Sequence, residues 1–137
     1  MKKILVLCTG NSCRSQMAHG YFQAVGGTDL KVYSAGVETH GLNPRAVLVM
    51  KEDNVDISSN TSNHLDEYSD ITFDLILTVC DSAKERCPVF PSQSKQVHFS
   101  FPDPADATGS EEDILHSFRM VRNEIKSFVK EFIDINL

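Results

Sequence analysis

The run Cys8-Thr9-Gly10-Asn11-Ser12-Cys13-Arg14-Ser15 joins a thiol to a guanidinium through small and polar residues. A loop of this kind can turn its backbone N–H groups inward as a nest for an anion, and a helix that follows adds its dipole. Arg14 offers a planar fork matched to two oxygens of a tetrahedral oxyanion. Gly10 supplies conformational freedom for the turn, and Asn11 is placed to lock the loop by bonding its backbone. The same field acts on Cys8. A free thiol titrates near 8.5, so only about 3% is thiolate at pH 7. Lowering that pKa by about two units or more makes the thiolate the dominant form. Ser15 can donate a hydrogen bond to the sulfur. The loop reads as an oxyanion site with Cys8 as nucleophile. The plain alternatives are a small buried residue ending a strand and a non-catalytic anion sensor.

Two further groups carry chemistry. In Phe101-Pro102-Asp103-Pro104-Ala105-Asp106, two prolines fix the backbone around Asp103 and hold its carboxyl in place. An Asp-Pro pair is also a common turn former, so a capping role stays open for Asp103, and Asp106 reads as structural. Cys80 and Cys87 are seven residues apart, unlike the close pairs of zinc sites, and no matching Cys/His pair occurs elsewhere. If residues 80–87 were helical throughout, the two Cα atoms would stand about 10.5 Å apart along the axis, whereas a disulfide needs about 7 Å or less. Joining them requires the segment to unwind, and Pro88 makes that easier. Lys84 and Arg86 can lower the pKa of Cys87. Two unrelated thiols near a strand end are the alternative.

The elements that must position these groups follow from periodicity. Ile4-Leu5-Val6-Leu7 is a continuous apolar run, as in a buried parallel strand. A helix starts at Arg14, with Met17, Ala18, Tyr21, Phe22 and Val25 along one stripe, and Gly26-Gly27 stops it. A second strand covers residues 30–35. Asn43 caps a second helix with Pro44 at its first position and Ala46, Val47 and Met50 inside. Residues 56–70 are polar and irregular, with one helical turn at most. A third strand covers residues 73–79, a short helix 82–86, and a fourth strand 96–99, preceded by Pro88 and Pro91. Ser110 opens the last helix, with Glu111, Glu112 and Asp113 at its positive end and Ile114, Phe118, Val121, Ile125, Phe128 and Phe132 recurring along it. Alternating strands and helices imply a four-stranded parallel α/β sheet with helices on both faces. Ligands of such sheets bind at the carboxyl ends of strands, where Cys8 falls.

On these residues the sequence resembles the low-molecular-weight protein tyrosine phosphatases. The run from Cys8 to Ser15 is similar to the phosphate loop of that family. The wider run through Gln16-Met17-Ala18, together with Cys80 and Cys87, resembles the thioredoxin-coupled arsenate reductases on the same fold, over nearly the whole chain. The resemblance implies that Thr9, Gly10, Asn11, Ser12, Cys13, Arg14 and Ser15 bind the oxyanion and that Asp103 is the general acid. It also implies an order of events. Cys8 attacks arsenate, Cys80 attacks the Cys8 sulfur and releases arsenite, Cys87 attacks Cys80, and thioredoxin reduces the final disulfide; Cys13 is structural. Phosphotyrosine enzymes of the family place Tyr after the Asp-Pro pair, where this chain has Ala105. A phosphatase using Cys8, Arg14 and Asp103 alone is the alternative. Some related reductases hold potassium through an acid on the first helix. The matching position here is His19, with Asn63 in the polar loop, so no potassium site and no other cofactor is expected. His19 is then free to donate to the loop or to a neighbouring strand. His40, His64, His98 and His116 read as surface or rim residues.

The 137 residues suit one domain, 1–137, and 41% hydrophobic with 23% charged residues is ordinary for a globular chain. A net charge of −6 argues against nucleic-acid binding, so positive potential for an oxyanion must be made locally. No apolar run approaches the roughly 18 residues of a membrane span, and the short apolar stretch after Lys2-Lys3 runs into polar Thr9 rather than a cleavage site. A cytoplasmic monomer follows as the expectation, with reactive thiols rather than structural bridges.

Overall fold

The computed structural model describes residues 2–81 and 94–137. Four parallel strands, β1 (Lys2–Cys8), β2 (Leu30–Gly36), β3 (Leu75–Thr78) and β4 (Lys95–His98), form one sheet in the order β2-β1-β3-β4. Strand β1 is central because its apolar run tolerates burial on both faces: Leu5, Val6 and Leu7 are each 0% exposed. Among the described residues there are three α-helices, α1 (Arg14–Gly26) between β1 and β2, α2 (Pro44–Glu52) between β2 and β3, and α3 (Glu111–Asn136) after β4. Their Met17, Phe22, Met50, Phe118 and Ile125 pack with Ile4, Val6 and Leu77 over one face. On the other face Leu5, Leu7 and Ile76 lie beneath Leu65 and Tyr68 of a single 3-10 turn, Leu65–Tyr68, with Phe73. That turn is the one helical turn allowed for the polar stretch 56–70.

The expected caps are present. Asn43 Oδ1 accepts from Arg45 N at 2.9 Å, and Ser110 with Asp113 forms a reciprocal box at 3.1 and 3.2 Å. Glu52 receives Arg119 and Arg122 from α3, tying α2 to it. Three readings shift. Val25 is 41% exposed, because the last turn of α1 runs past the core. Strand β3 is shorter than residues 73–79, although Asp74 N to Lys3 O and Val79 N to Leu7 O carry its ladder on at both ends. Strand β4 begins at Lys95 and ends at His98, one residue earlier than expected. The short helix at residues 82–86 lies outside the described residues. No helix among the described residues is long and apolar enough to cross a membrane.

His19, on α1, bonds Ser34 Oγ of β2 through Nδ1 at 2.8 Å, which is the neighbouring-strand contact anticipated for it. Burial pushes its pKa down to about 4 from the ordinary 6.5, so the folded protein holds it neutral. The unfolded chain binds this proton first. The stability His19 contributes is therefore present above pH 6.5 and lost as pH falls from 6.5 toward 4. His19→Gln should flatten the fall in unfolding free energy across that window, by up to ~3 kcal/mol. Urea titrations at closely spaced pH values measure this, and parallel curves for the two proteins would refute it.

Candidate active site

Strand β1 delivers Cys8 to the carboxyl edge of the sheet, and α1 begins at Arg14. The peptides between them turn their carbonyls outward. Thr9 O accepts from Glu38 N at 3.0 Å, Gly10 O from His40 N at 3.0 Å, and Ser12 O from Asn43 N at 3.2 Å. Ser62 Oγ adds a second donor to Gly10 O at 3.1 Å, and Gln16 Nε2 donates to Asn11 O at 3.1 Å. In a trans peptide the C=O and the following N–H point opposite ways. With the carbonyls claimed from outside, the N–H groups that follow them turn to the concave side, as an anion nest requires.

The left-handed residue that bends the loop is Asn11, with φ of 49°, rather than Gly10. Its side chain pays for that conformation through two bonds: Oδ1 accepts from Asn63 N at 2.7 Å and Nδ2 donates to Ser15 Oγ at 2.8 Å. Asn11 thus locks the loop, but through the neighbouring segment and Ser15 rather than the loop's own backbone. Gly10 is needed for space, since a Cβ there would collide with the His40 ring. Gly36, where β2 meets the loop, is as constrained: a Cβ would stand 2.5 Å from Thr9 O and 2.9 Å from Asn11 N.

The loop encloses a cavity of about 290 Å³, lined by Cys8, Thr9, Gly10, Ser12, Cys13 and Arg14. His40, Asp103, Ala105 and Asp106 line it from outside the loop. Arg14 is 3% exposed. Its Nη1 donates to Phe101 O at 3.2 Å, and its Nη2 stands 3.5 Å from Asp103 Oδ2. Asp103 Oδ1 accepts from Ala105 N at 3.0 Å and caps the 3-10 turn Pro104–Asp106. The capping reading of Asp103 therefore holds for one oxygen, while the other faces Arg14.

Cys13 also lines the cavity, but burial and the Asp103 carboxylate push its pKa up to about 12, against the opposing pull of Ser12 and Arg14. It stays a thiol. Cys80 is fully buried, two residues beyond Thr78, which pairs with Leu7, and it shares a core cluster with Cys8. Cys8 and Cys13 form no disulfide. Cys87 lies outside the described residues, with Lys84, Arg86, Pro88 and Pro91.

His19 and Asn63 are the positions considered for potassium. His19 Nδ1 is engaged with Ser34 Oγ, and Asn63 Oδ1 accepts from Thr61 Oγ1 at 2.7 Å. Sequence reasoning missed the supports of the loop: Gln16, Glu38, His40, Asn60 and residues 61–63. The one available signal was a run of amides and hydroxyls in a stretch read as irregular.

The fold and site together are those of a parallel α/β sheet with a Cys-to-Arg loop at its carboxyl edge and an Asp on the rim of the cavity. The family model for low molecular weight phosphotyrosine protein phosphatase matches residues 3–135, and the chain belongs to that family. It is 50% identical over 135 residues to the arsenate reductase of Bacillus subtilis (strain 168), covering 97% of this chain and 96% of that protein. It is 47% identical over 133 residues to the arsenate reductase of Halalkalibacterium halodurans, covering 97% and 96%. Among solved structures it is similar to an arsenate reductase in the phosphate binding state, with a TM-score of 0.81, 29% identity and 98% of each chain covered.

At pH 7 iodoacetamide should alkylate Cys8 well ahead of Cys13, whose pKa near 12 keeps it protonated. Peptide mapping by mass spectrometry reads the order, and equal labelling of the two would contradict the assignment.

Proposed function

We propose that the chain is an arsenate reductase in which Cys8, Cys80 and Cys87 pass two electrons to arsenic. Arsenate, a tetrahedral oxyanion, sits on the loop N–H groups and the Arg14 fork. The Cys8 thiolate attacks arsenic, and one oxygen leaves as water with a proton from Asp103. Cys80 attacks the Cys8 sulfur. The electron pair of the sulfur–arsenic bond stays on arsenic, which departs as arsenite and leaves a Cys8–Cys80 disulfide. Cys87 then attacks Cys80 and frees Cys8 as thiolate. A dithiol protein of the thioredoxin kind reduces the Cys80–Cys87 disulfide and closes the balance.

The observation that carries this reading is the position of Cys80. It lies just past the end of the strand beside β1, fully buried and in the same core cluster as Cys8. A phosphatase needs no such group. Two features add support: the curated relatives that carry this name, and Ala105 in the cavity wall where an aromatic cleft would use a larger ring. The same nest accepts any similar oxyanion, so weak hydrolysis of aryl phosphates accompanies the main activity.

With thioredoxin, its reductase and NADPH, the protein should consume NADPH in proportion to arsenate. Cys80→Ser should bring that turnover to background and spare hydrolysis of a small aryl phosphate. Asp103→Asn should slow the hydrolysis by ~10²–10⁴-fold. Undiminished arsenate turnover in Cys80→Ser would sink the relay.

A further inference from the structure

Gln16 is 0% exposed, the third residue of α1, and no part of the cavity lining. Burying a carboxamide without partners costs about 1–3 kcal/mol, so its bonds indicate what it is for. A Gln at this helical position commonly reaches back to cap its own helix. Here the N-terminus of α1 has no side-chain cap. Gln16 Nε2 instead donates to Asn11 O at 3.1 Å and to Thr61 O at 3.0 Å. Its Oε1 accepts from Asn60 Nδ2 at 3.2 Å.

From this geometry we infer that Gln16 is a positioning residue for the oxyanion loop, oriented in turn by Asn60. The Asn11–Ser12 peptide has two orientations of opposite consequence. With its carbonyl outward, the Ser12 N–H joins the nest; with the carbonyl inward, an oxygen dipole meets the anion. Asn11 sits at φ of 49°, a conformation that Asn visits but does not prefer, so the peptide needs an external hold. Gln16 Nε2 is the side-chain donor on Asn11 O. A carboxamide can present either end, and presented by its oxygen it would repel both carbonyls. The Asn60 amide, donating to Oε1, selects the end that holds the peptide. Asn60 therefore acts on the anion through Gln16, without touching it.

This inference rests on reading the loop as an oxyanion site, and the test separates the two. Inorganic phosphate is titrated as the probe against wild type, Gln16→Met, Asn60→Ala and the double variant, with thermal unfolding recorded for each. Wild type should bind phosphate. Gln16→Met should weaken that binding by ~10-fold or more and move the pH profile of Cys8 alkylation upward. Asn60→Ala should do the same to a smaller extent, and the double variant should lose no more than Gln16→Met alone. Wild type that binds no phosphate would defeat the oxyanion reading and this inference with it. Folded Gln16→Met with wild-type phosphate affinity and alkylation profile would overturn the inference alone. Additive losses in the double variant would overturn the route through Asn60, which remains testable in Asn60→Ala even where Gln16→Met fails to fold.

Discussion

An anion nest asks several consecutive peptides to point the same way, and a chain does not do so unaided. Each N–H aimed at one point leaves a carbonyl aimed away from it, and each such carbonyl must find a donor elsewhere. Much of the architecture around β1 and α1 answers that demand. Backbone N–H groups of Glu38, His40 and Asn43 take the carbonyls of Thr9, Gly10 and Ser12. The Ser62 hydroxyl and the Gln16 amide take the rest of the load. The nest is as much a property of residues 38–43 and 60–63 as of the eight residues that form it.

This arrangement places positive potential in a protein whose net charge is −6. The N–H dipoles and one buried guanidinium act at close range, inside a cavity walled by protein. Arg14 is held from two sides, by the Phe101 carbonyl and by the Asp103 carboxylate. Burial first, and then the same carboxylate that steadies Arg14, raise the pKa of Cys13.

The strands, helices and caps were legible because their signals are local. Ile4-Leu5-Val6-Leu7 announces a buried strand, and Asn43-Pro44 and Ser110 announce helix starts in their own few residues. The Cys8 loop was legible for the same reason: thiol, small residues and guanidinium sit within one short run. Its supports were not. Asn63 meets Asn11, and Asn60 meets Gln16, across more than 40 positions of sequence, and polar loop residues look alike whether they brace a site or face solvent. Val25 failed because periodicity tells which face of α1 is apolar, not where the core beneath it ends. Gly10 was read for its conformational freedom, whereas a Cβ there would meet the His40 ring, a distinction that only packing reveals.

The turn after Asp103 has a stereochemical consequence. Because Oδ1 is bound to the Ala105 N–H and Oδ2 faces Arg14, the two oxygens of this carboxyl are not interchangeable. Rotation of the carboxyl would break both contacts at once, so the two oxygens keep their separate places. The turn thereby chooses which face of the carboxyl, and which of its lone pairs, is presented to the cavity.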